Sequence, residues 1–360
     1  MKIALLGNGN SIHIRRWAEG LFSKGIEVHL LTCHPIKESY SEGIYLHQLT
    51  PLVPIGYILA ARRLKKVLKS IQPDLLHAHY VTGYGTLAVL SGFQQLMLSA
   101  WGADVYDFPT KSCFHHWLVE RNLKNCKAIG STSHCMLEVV KSISPNLPSI
   151  YVTPFGVDTD LFYPHPKSEV TEEQKVRVGT VKLLHNKYGI DTLIRSFALV
   201  HDQYRKADME LVIIGNGPEE ASLKALVTEL GISHLVEFKG YIDNSKVPLA
   251  LCELDVFVAL SRLDSESFGV AAVEANACGL PVVVSDVSGF KEVVVNETTG
   301  LIVARDNPQE AAKAIYQLIS DTELRTRMGR RGRAHVSEHY SWEASLDRMI
   351  YVYKELCNEK

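Results

Sequence analysis

Long apolar segments are absent from this sequence of 360 residues. The longest nearly apolar stretch, PLVPIGYILAA, falls well short of the roughly twenty residues that a helix needs to span a bilayer. The opening residues, MKIALLGNG, have the pattern of a strand and a turn rather than of a secretory signal. We therefore expect a cytoplasmic protein, either soluble or attached to the inner face of the cytoplasmic membrane.

A strong charge of either sign is also missing. The 38 Lys and Arg residues nearly balance the 40 Asp and Glu residues, so the formal net charge is -2 and the isoelectric point is about 6.7. This balance argues against nucleic acid as a partner, because binding to phosphate backbones requires a basic surface.

Paired cysteine motifs are absent as well. The sequence contains no C-x-x-C pair, and its seven cysteines are scattered: Cys33, Cys113, Cys126, Cys135, Cys252, Cys278 and Cys357. Such a pattern is typical of a reduced cytosolic protein and indicates neither a disulfide framework nor a zinc site.

The sequence does contain a regular alternation of short apolar segments and amphipathic segments, which is typical of parallel sheets flanked by helices. Six strands of a first domain are predicted at KIALLG, EVHLLT, DLLHAH, LMLSAW, KAIGST and IYVT. Six more are predicted at KVRVGTV, DMELVIIG, HLVEFKG, LDVFVALS, GLPVVVSD and GLIVA. Helices are predicted at about 307–319 and 321–339 and over the final segment, SWEASLDRMIYVYKELC.

A polar, proline-containing segment, DLFYPHPKSEVTEEQK, separates the two series of strands. Its composition is that of a linker, and we place the domain boundary near Pro166. A chain of this length is expected to form two cores rather than one. We predict a first domain of residues 1–165, completed by a C-terminal helix at about 341–360, and a second domain of residues 166–340.

Two glycine turns follow predicted strands but do not match a dinucleotide fingerprint. In the turn that ends at Gly9, the third glycine position of G-x-G-x-x-G is Ile12; in the turn that ends at Gly217 it is Glu220. The second strand also lacks the acidic residue that would hold a ribose, so a nicotinamide enzyme is disfavoured. Gly9 and Gly217 remain candidates for backbone contact with a phosphate or a sugar, the alternative being tight turns.

Two glutamates flank a predicted helix start in SESFGVAAVEANACGLPVVVSD. Glu266 lies in the loop after a strand, at the sheet edge where open α/β sheets bind ligands, and Glu274 lies one turn inside the helix. Acidic residues often occupy first turns only to complement the helix dipole, so the spacing alone is weak. The intervening amides suit an anion, and they belong to Phe268, Gly269 and Val270.

Together with the following ACGLPVVVSDVSGFKEVV and TTGLIV, this segment resembles the donor site of the retaining glycosyltransferases of family 4, which have the GT-B fold. The resemblance covers nearly the whole chain and is most specific over 176–305. It implies two facing Rossmann-like α/β domains with parallel sheets, the second binding the donor, and a C-terminal helix that crosses back to the first. It also implies that Glu274 holds ribose hydroxyls, that Glu266 contacts the transferred sugar, and that the amides of 268–270 serve the sugar and diphosphate.

Members of this family typically carry an arginine and, five positions later, a lysine that grip the diphosphate. In VGTVKLLHNKYGIDTLI the spacing is kept by Lys182 and Lys187, so lysine replaces arginine, and Thr180 stands at the arginine-like place after Gly179. Fixed cations would stabilise the charge on a departing nucleoside diphosphate. The alternative is that both are exposed lysines beside a helix start.

The resemblance places acceptor contacts in the first domain. His79 ends a predicted strand, although packing is the commoner fate of the pair His77 and His79. Trp101 occupies the place of the histidine usual in the family; it could stack on a sugar, and Asp104 could accept an acceptor hydroxyl. The alternative is a cleft wall and a helix cap. His13 completes the acceptor-side candidates, and no metal ligand set is expected.

A basic amphipathic helix is predicted over YILAARRLKKVLKSI. Such a helix can contact anionic lipid headgroups, or it can be an ordinary solvated helix. The family's lipid-linked acceptors favour the first alternative.

The expected function is therefore the retaining transfer of a hexose or N-acetylhexosamine from a UDP-sugar. The acceptor would be lipid-linked or a glycan, as in O-antigen or lipopolysaccharide biosynthesis, and no cofactor or metal is expected. Two alternatives stay open: a nucleotide-sugar epimerase of the same architecture, and a catalytically silent sugar-nucleotide-binding partner.

Overall fold

The computed structural model describes residues 1–37, 39–49, 56–165, 175–203 and 208–358. The chain divides into two compact units. The first unit consists of Met1–Phe155 and Glu343–Lys360, and the second consists of Gly156–Trp342.

The first unit is built around a parallel sheet of seven strands. These are β1 (Lys2–Leu6), β2 (Glu27–Thr32), β3 (Tyr45–Gln48), β4 (Leu75–His79), β5 (Leu96–Ala100), β6 (Ala128–Ser131) and β7 (Ser149–Val152). Their order in the sheet is β3-β2-β1-β4-β5-β6-β7. The connecting helices are α1 (Ile12–Ser23), α2 (Gly56–Ile71), α3 (Gly83–Ser91), α4 (Cys113–Lys124) and α5 (His134–Ile143).

The second unit has a parallel sheet of six strands. These are β8 (Val176–Val181), β9 (Met209–Ile214), β10 (Val236–Gly240), β11 (Val256–Ala259), β12 (Val282–Ser285) and β13 (Gly300–Val303), in the order β10-β9-β8-β11-β12-β13. Its helices are α6 (Ile190–Gln203), α7 (Glu220–Glu229), α8 (Val247–Cys252), α9 (Val270–Ala277), α10 (Ser288–Val293), α11 (Pro308–Ser320) and α12 (Thr322–His339).

The central strands of both sheets are buried on both faces because helices cover both sides, which explains their nearly continuous apolar sequences. Every residue of β4, β5, β11 and β12 is buried. The twelve predicted strands are all present. The structure adds β3, an edge strand with mostly exposed side chains, and its short polar sequence YLHQ has no apolar alternation that could have revealed it.

The strand order changes direction beside the first strand of each unit. In the first sheet this switch point lies between β1 and β4, and in the second it lies between β8 and β11. Ligands of open α/β sheets bind outside the carboxyl ends of the strands at such a point. The topology therefore marks one edge of each sheet for a binding site.

The last helix, α13 (Trp342–Asn358), packs on the first unit. Its buried side chains include Leu346, Met349 and Tyr353, and the Tyr353 hydroxyl lies 2.6 Å from Nδ1 of His77 in β4. The structure thus confirms that the C-terminal helix returns to the first unit.

The structural division of the chain lies earlier than the predicted boundary near Pro166, a residue outside those described. It falls after Phe155. Arg333 of α12 donates hydrogen bonds to the backbone oxygens of Thr159 and Phe162. These bonds attach the segment after Phe155 to the second unit, and composition could not reveal them.

Helix α2 has one buried apolar face and one exposed basic face. Ala60, Leu64 and Leu68 are buried in the core of the first unit. The exposed basic residues are Arg62, Arg63, Lys65, Lys66 and Lys69. Within the described part of the chain, no helix combines the length and apolar character needed to cross a membrane.

Candidate active site

The ends of β8 and β11 bring together residues that are distant in the sequence. These strands are neighbours at the switch point of the second sheet. Lys182 directly follows β8, and Glu266 lies in the loop after β11. The Lys182 Nζ is 2.7 Å from the Glu266 Oε2, with side-chain exposures of 14% and 10%. The Ser261 hydroxyl lies 3.3 Å from the same carboxylate oxygen, so the ion pair has a third polar partner.

The charge of Lys182 is maintained by its acidic surroundings. Burial by itself lowers the pKa of this amine. Glu266, Tyr188 and Glu274 raise it by a larger amount, so the pKa of Lys182 lies above its ordinary value. Glu274 makes the smallest of these contributions. The site therefore holds a charged lysine that is paired with the carboxylate of Glu266.

The second predicted lysine shares an aromatic partner with the first. Lys187 belongs to a 3₁₀ turn at Asn186–Tyr188. The Nζ atoms of Lys182 and Lys187 lie 4.7 Å and 5.6 Å from the centroid of the Tyr188 ring. The structure thus places both lysines beside one aromatic ring. Tyr188 was not singled out from the sequence, because a tyrosine beside a helix start carries no distinctive signal.

An arginine joins the two loops of this site. Arg262 donates from its guanidinium to the backbone and side-chain oxygens of Asn186. It also pairs with Asp191 at 2.7 Å and with Asp306, and its backbone N–H donates to the Lys187 oxygen at 2.8 Å. These contacts hold the 3₁₀ turn of Lys187 against the loop that leads to Glu266. Nothing in the sequence spacing indicated this role.

Helix α9 carries Glu274, which is half-buried on its second turn. Gly269 stands before the helix with φ 71°, and a Cβ there would lie 2.5 Å from the Phe290 ring. The glycine is therefore required by backbone conformation and packing, and contact of its amide with a ligand stays a prediction. The Phe268 side chain is buried, 5.6 Å edge-on from Tyr340, so only its backbone could face a ligand. Val270 is the first residue of the helix.

Both glycine turns are explained by contacts within the protein. A Cβ at Gly217 would lie 2.3 Å from the Leu184 backbone oxygen. At Gly9, the N–H donates to the Thr32 hydroxyl at 3.2 Å and the oxygen accepts from the Tyr40 hydroxyl. At Gly9 the internal hydrogen bonds favour the alternative of a tight turn. At Gly217 packing requires a glycine, and contact of its backbone with a ligand stays a prediction.

In the first unit, the three predicted acceptor-side residues form one aromatic cluster. The ring of Trp101 is 5.5 Å from each of His13 and His79 in edge-on geometry. His13 stacks on Phe155 at 4.1 Å. Burial, with a smaller effect from the charge of Arg16, lowers the pKa of His13 to about 4. Both histidines lie close to the tryptophan that stands in the place of the family's histidine.

Asp104 has a structural position. It is fully buried, and its carboxylate accepts from the backbone N–H groups of Val81, Trp101 and Gly102 at 2.8, 3.0 and 2.9 Å. Burial raises its pKa, against the lowering effect of these bonds. The alternative of a cap is therefore favoured over a catalytic or acceptor-binding role, because the carboxylate is fully buried and accepts from three backbone N–H groups.

Potential metal ligands are dispersed. His77 is a core histidine whose ring nitrogens lie within hydrogen-bonding distance of Tyr353 and Ser99. The carboxylate of Asp158, which has the Asp-x-Asp spacing with Asp160, accepts from the N–H of Asp160 at 3.0 Å as part of a turn. Among the residues that the structure describes, no group of three or more His, Cys, Asp or Glu side chains could hold an ion.

The comparisons with known proteins agree with this arrangement. The family model for "Glycosyl transferases group 1" matches residues 164–335, and the model for "Glycosyl transferase 4-like" matches residues 2–133. The chain is a glycosyltransferase of family 4. Each of the two matched regions lies within one of the two structural units.

Two relatives illustrate the range of this glycosyltransferase family. An N-acetyl-alpha-D-glucosaminyl L-malate synthase of Bacillus anthracis is 24% identical over 358 residues, covering 94% of this chain and 92% of that protein. The second relative is a GDP-mannose-dependent alpha-(1-6)-phosphatidylinositol monomannoside mannosyltransferase of Mycobacterium tuberculosis. It is 31% identical over 207 residues, covering 54% of this chain and 53% of that protein. Their names give different sugars and acceptors, so family membership does not fix the substrates of this glycosyltransferase.

Solved structures support the GT-B fold of the glycosyltransferase. Sucrose-phosphate synthase from Thermosynechococcus elongatus superposes with a TM-score of 0.83 at 22% identity over 100% of both chains. Anabaena HepE, solved in complex with UDP and glucose, superposes with a TM-score of 0.81 at 16% identity, covering 99% of this chain and 100% of HepE. The expected fold class, with two Rossmann-like units and parallel sheets, is confirmed.

Proposed function

We propose that this glycosyltransferase transfers a hexose or N-acetylhexosamine from a UDP-sugar to a lipid-linked or glycan acceptor, with retention of the anomeric configuration. The proposal is supported chiefly by one observation. Lys182, Lys187, Glu266 and Glu274 lie at the switch point of the second sheet. A pathway of polysaccharide biosynthesis of the O-antigen or lipopolysaccharide type would use such an activity.

In the proposed donor complex, Glu274 accepts hydrogen bonds from the ribose diol and the two lysines face the diphosphate. Glu266 contacts the transferred sugar and also keeps Lys182 in position through their 2.7 Å pair. The backbone of Phe268, Gly269 and Val270 lies at the start of α9, where helix N–H groups favour an anion. The donor-binding role of the second unit follows from this assignment.

The reaction forms one bond and breaks another at the anomeric carbon. The acceptor oxygen bonds to that carbon, the bond to the diphosphate oxygen breaks, and the acceptor proton passes to the leaving phosphate. UDP departs with additional negative charge, which fixed cations stabilise in the transition state. Since the lysines supply positive charge at this place, the proposal includes no bound metal, and EDTA is expected to leave turnover unchanged.

The nucleotide is the first point to test, since one relative is named as GDP-mannose-dependent and one structural neighbour was solved with UDP. A thermal-shift screen of UDP- and GDP-sugars should show stabilisation by UDP compounds, because a ligand that binds only the folded state raises its stability. If GDP-mannose stabilises the protein and UDP compounds do not, the assignment of a UDP-sugar as the donor is wrong.

The diphosphate assignment is tested by Lys187→Ala. We expect UDP affinity, measured by titration calorimetry, to fall about 10- to 100-fold, as for the loss of a charged hydrogen bond. Lys224 is a matched control, because it also lies over an aromatic ring, that of Phe238 in the second unit. Unchanged affinity in Lys187→Ala, or an equal loss in Lys224→Ala, would show that the assignment is wrong.

The alternative activities predict different products. An epimerase converts the nucleotide-sugar without an acceptor, and a silent binding partner shows donor binding without turnover. Slow release of UDP from the donor that is abolished in Glu274→Ala supports the transferase. A changed sugar still attached to UDP would support the epimerase.

The exposed cations of α2 are the proposed contact with an anionic membrane surface. Because the apolar face of α2 is buried in the core of the first unit, this contact would be electrostatic. Co-sedimentation with vesicles containing anionic lipid should then fall with increasing salt. Salt-independent binding, or none, would overturn this part of the proposal.

A further inference from the structure

A cavity of about 740 Å³ opens in the first unit at the switch point of its sheet. Its wall is largely apolar and aromatic, with contributions from Ile14, Trp101, Phe108, Phe114 and Leu118. The described residues that line it include no Lys, Arg, Asp or Glu. A charged ligand group placed there would therefore find no charged side chain as a counter-ion.

Several polar side chains on the cavity wall have partners within the protein. The Tyr84 hydroxyl lies 2.6 Å from Nδ1 of His34 and accepts from the backbone N–H of Cys33 at 3.1 Å. The Thr86 hydroxyl accepts from Asn122 at 2.8 Å. The fold thus satisfies these groups without a ligand.

His79 differs from these neighbours. It lines the cavity and is only 2% exposed, yet neither of its ring nitrogens has a hydrogen-bond partner. Burial, together with the nearby His77 and His13, lowers its pKa well below the ordinary value, so the imidazole is neutral. A neutral imidazole has one N–H donor and one acceptor nitrogen. Leaving both unpaired in a buried place is costly, and this marks the ring as unsatisfied without a ligand.

We propose that this cavity binds an uncharged, partly apolar region of the acceptor and that His79 hydrogen-bonds a hydroxyl group of that region. A hydroxyl can donate to the bare nitrogen of the neutral imidazole or accept from its N–H group. The ligand class is a neutral glycoside or alcohol with an apolar group against the aromatic wall. We expect small dicarboxylates and phosphorylated sugars to bind this cavity more weakly.

Calling the ligand an acceptor rests on the proposed transferase function, but its binding can be tested without a donor. Saturation-transfer NMR on the full chain would compare p-nitrophenyl β-D-glucopyranoside with glucose, L-malate and p-nitrophenyl phosphate. We expect the neutral aryl glycoside to bind at least tenfold more tightly than the other three. Equal or tighter binding of malate or of p-nitrophenyl phosphate would overturn the proposal, as would the absence of binding by the aryl glycoside.

Two substitutions locate the binding. His79→Phe keeps a ring but removes both nitrogens, and it should weaken binding of the glycoside about tenfold. Phe114→Ala removes part of the exposed rim of the cavity and should weaken it at least fivefold, with little risk to folding. Trp117→Ala is the control, since Trp117 is an exposed aromatic residue of the same helix that does not line the cavity.

Unchanged binding in both His79→Phe and Phe114→Ala, or an equal loss in Trp117→Ala, would place the ligand elsewhere and overturn the inference. Failure of UDP to bind would instead contradict the proposed function. Because the glycoside is measured without nucleotide, the two results are distinguishable.

Discussion

At the scale of single residues, the pair of Lys182 and Glu266 joins the two parts of the second unit's site. Its members are mostly buried and 2.7 Å apart. Removing one partner of a buried pair leaves a charge without compensation, which costs far more than removing both partners. The stability of the site and its proposed chemistry are therefore linked through these two residues.

This linkage predicts a non-additive mutant cycle. Lys182→Met and Glu266→Gln should each lower the free energy of unfolding, by about 3 kcal/mol for the lysine change, which leaves the carboxylate unpaired. The double variant should recover most of that loss, because neither charge remains. Chemical denaturation of the four proteins measures the coupling.

Donor turnover in the same proteins separates stability from chemistry. The double variant should stay inactive, since the cation that faces the leaving diphosphate is missing. Additive losses of stability would show that the pair is not coupled, and an active double variant would remove Lys182 from the proposed mechanism.

Residue types and spacing, taken together with the family resemblance, were sufficient to predict Lys182, Lys187, Glu266 and Glu274 as a donor site, and these roles stay predictions. They were not sufficient for Asp104, whose carboxylate is used by three backbone N–H groups. A carboxylate that caps a loop and one that binds a ligand look alike until its hydrogen-bond partners are known.

At the scale of secondary-structure elements, the site depends on how two loops are held. The 3₁₀ turn at Asn186–Tyr188 and the loop after β11 meet through Arg262. The planar guanidinium can donate to several oxygens at once, which an amine cannot reproduce. Arg262 therefore holds in place the turn that carries Lys187.

We expect Arg262→Ala to weaken UDP binding about tenfold, since the turn that carries Lys187 would lose several charged hydrogen bonds. Arg262→Lys should give an intermediate effect, because the charge is kept but the fork is lost. Titration calorimetry with UDP is the measurement, together with the free energy of unfolding.

Arg177 is the matched control for Arg262. It also bridges acidic side chains, those of Glu210 and Glu253, but at the start of β8. Arg177→Ala should reduce stability while leaving UDP affinity unchanged. If both arginine variants change UDP affinity equally, the loss reflects general destabilisation and Arg262 is not a positioning residue.

The periodicity of the sequence predicted the type of each secondary-structure element, but it did not predict which faces of that element would be exposed. The predicted amphipathic helix at α2 is present, and its apolar side chains are buried in the core. Strand β3 escaped prediction because an edge strand with exposed side chains needs no apolar alternation. Strands buried on both faces are recognisable because their whole sequence must be apolar.

At the scale of the whole molecule, the first unit is completed by the end of the chain. Helix α13 contributes Tyr353, whose hydroxyl hydrogen-bonds the buried His77. Lys24 pairs with Glu343 at 2.8 Å and with Asp347 at 3.2 Å. The fold of the first unit therefore requires residues that follow the second unit in the sequence.

Tyr353→Phe should lower the free energy of unfolding by about 1–3 kcal/mol, because it leaves a buried histidine nitrogen without its partner. Tyr351→Phe is the control, since Tyr351 lies in the same helix and is 66% exposed. Thermal and chemical denaturation would compare the two variants. Equal stability would show that the bond to His77 contributes nothing.

The sequence by itself determined the two series of parallel strands and the return of the last helix, and it predicted the charged residues of a donor site. These features depend on local composition and on spacing along the chain, which are readable without coordinates. The tertiary structure decided which charges pair, which glycines serve packing, and that His79 stands unsatisfied on an uncharged cavity. Those properties depend on contacts between residues far apart in the chain. The Lys182–Glu266 pair and the Arg262 contacts exist only once β8 and β11 lie side by side.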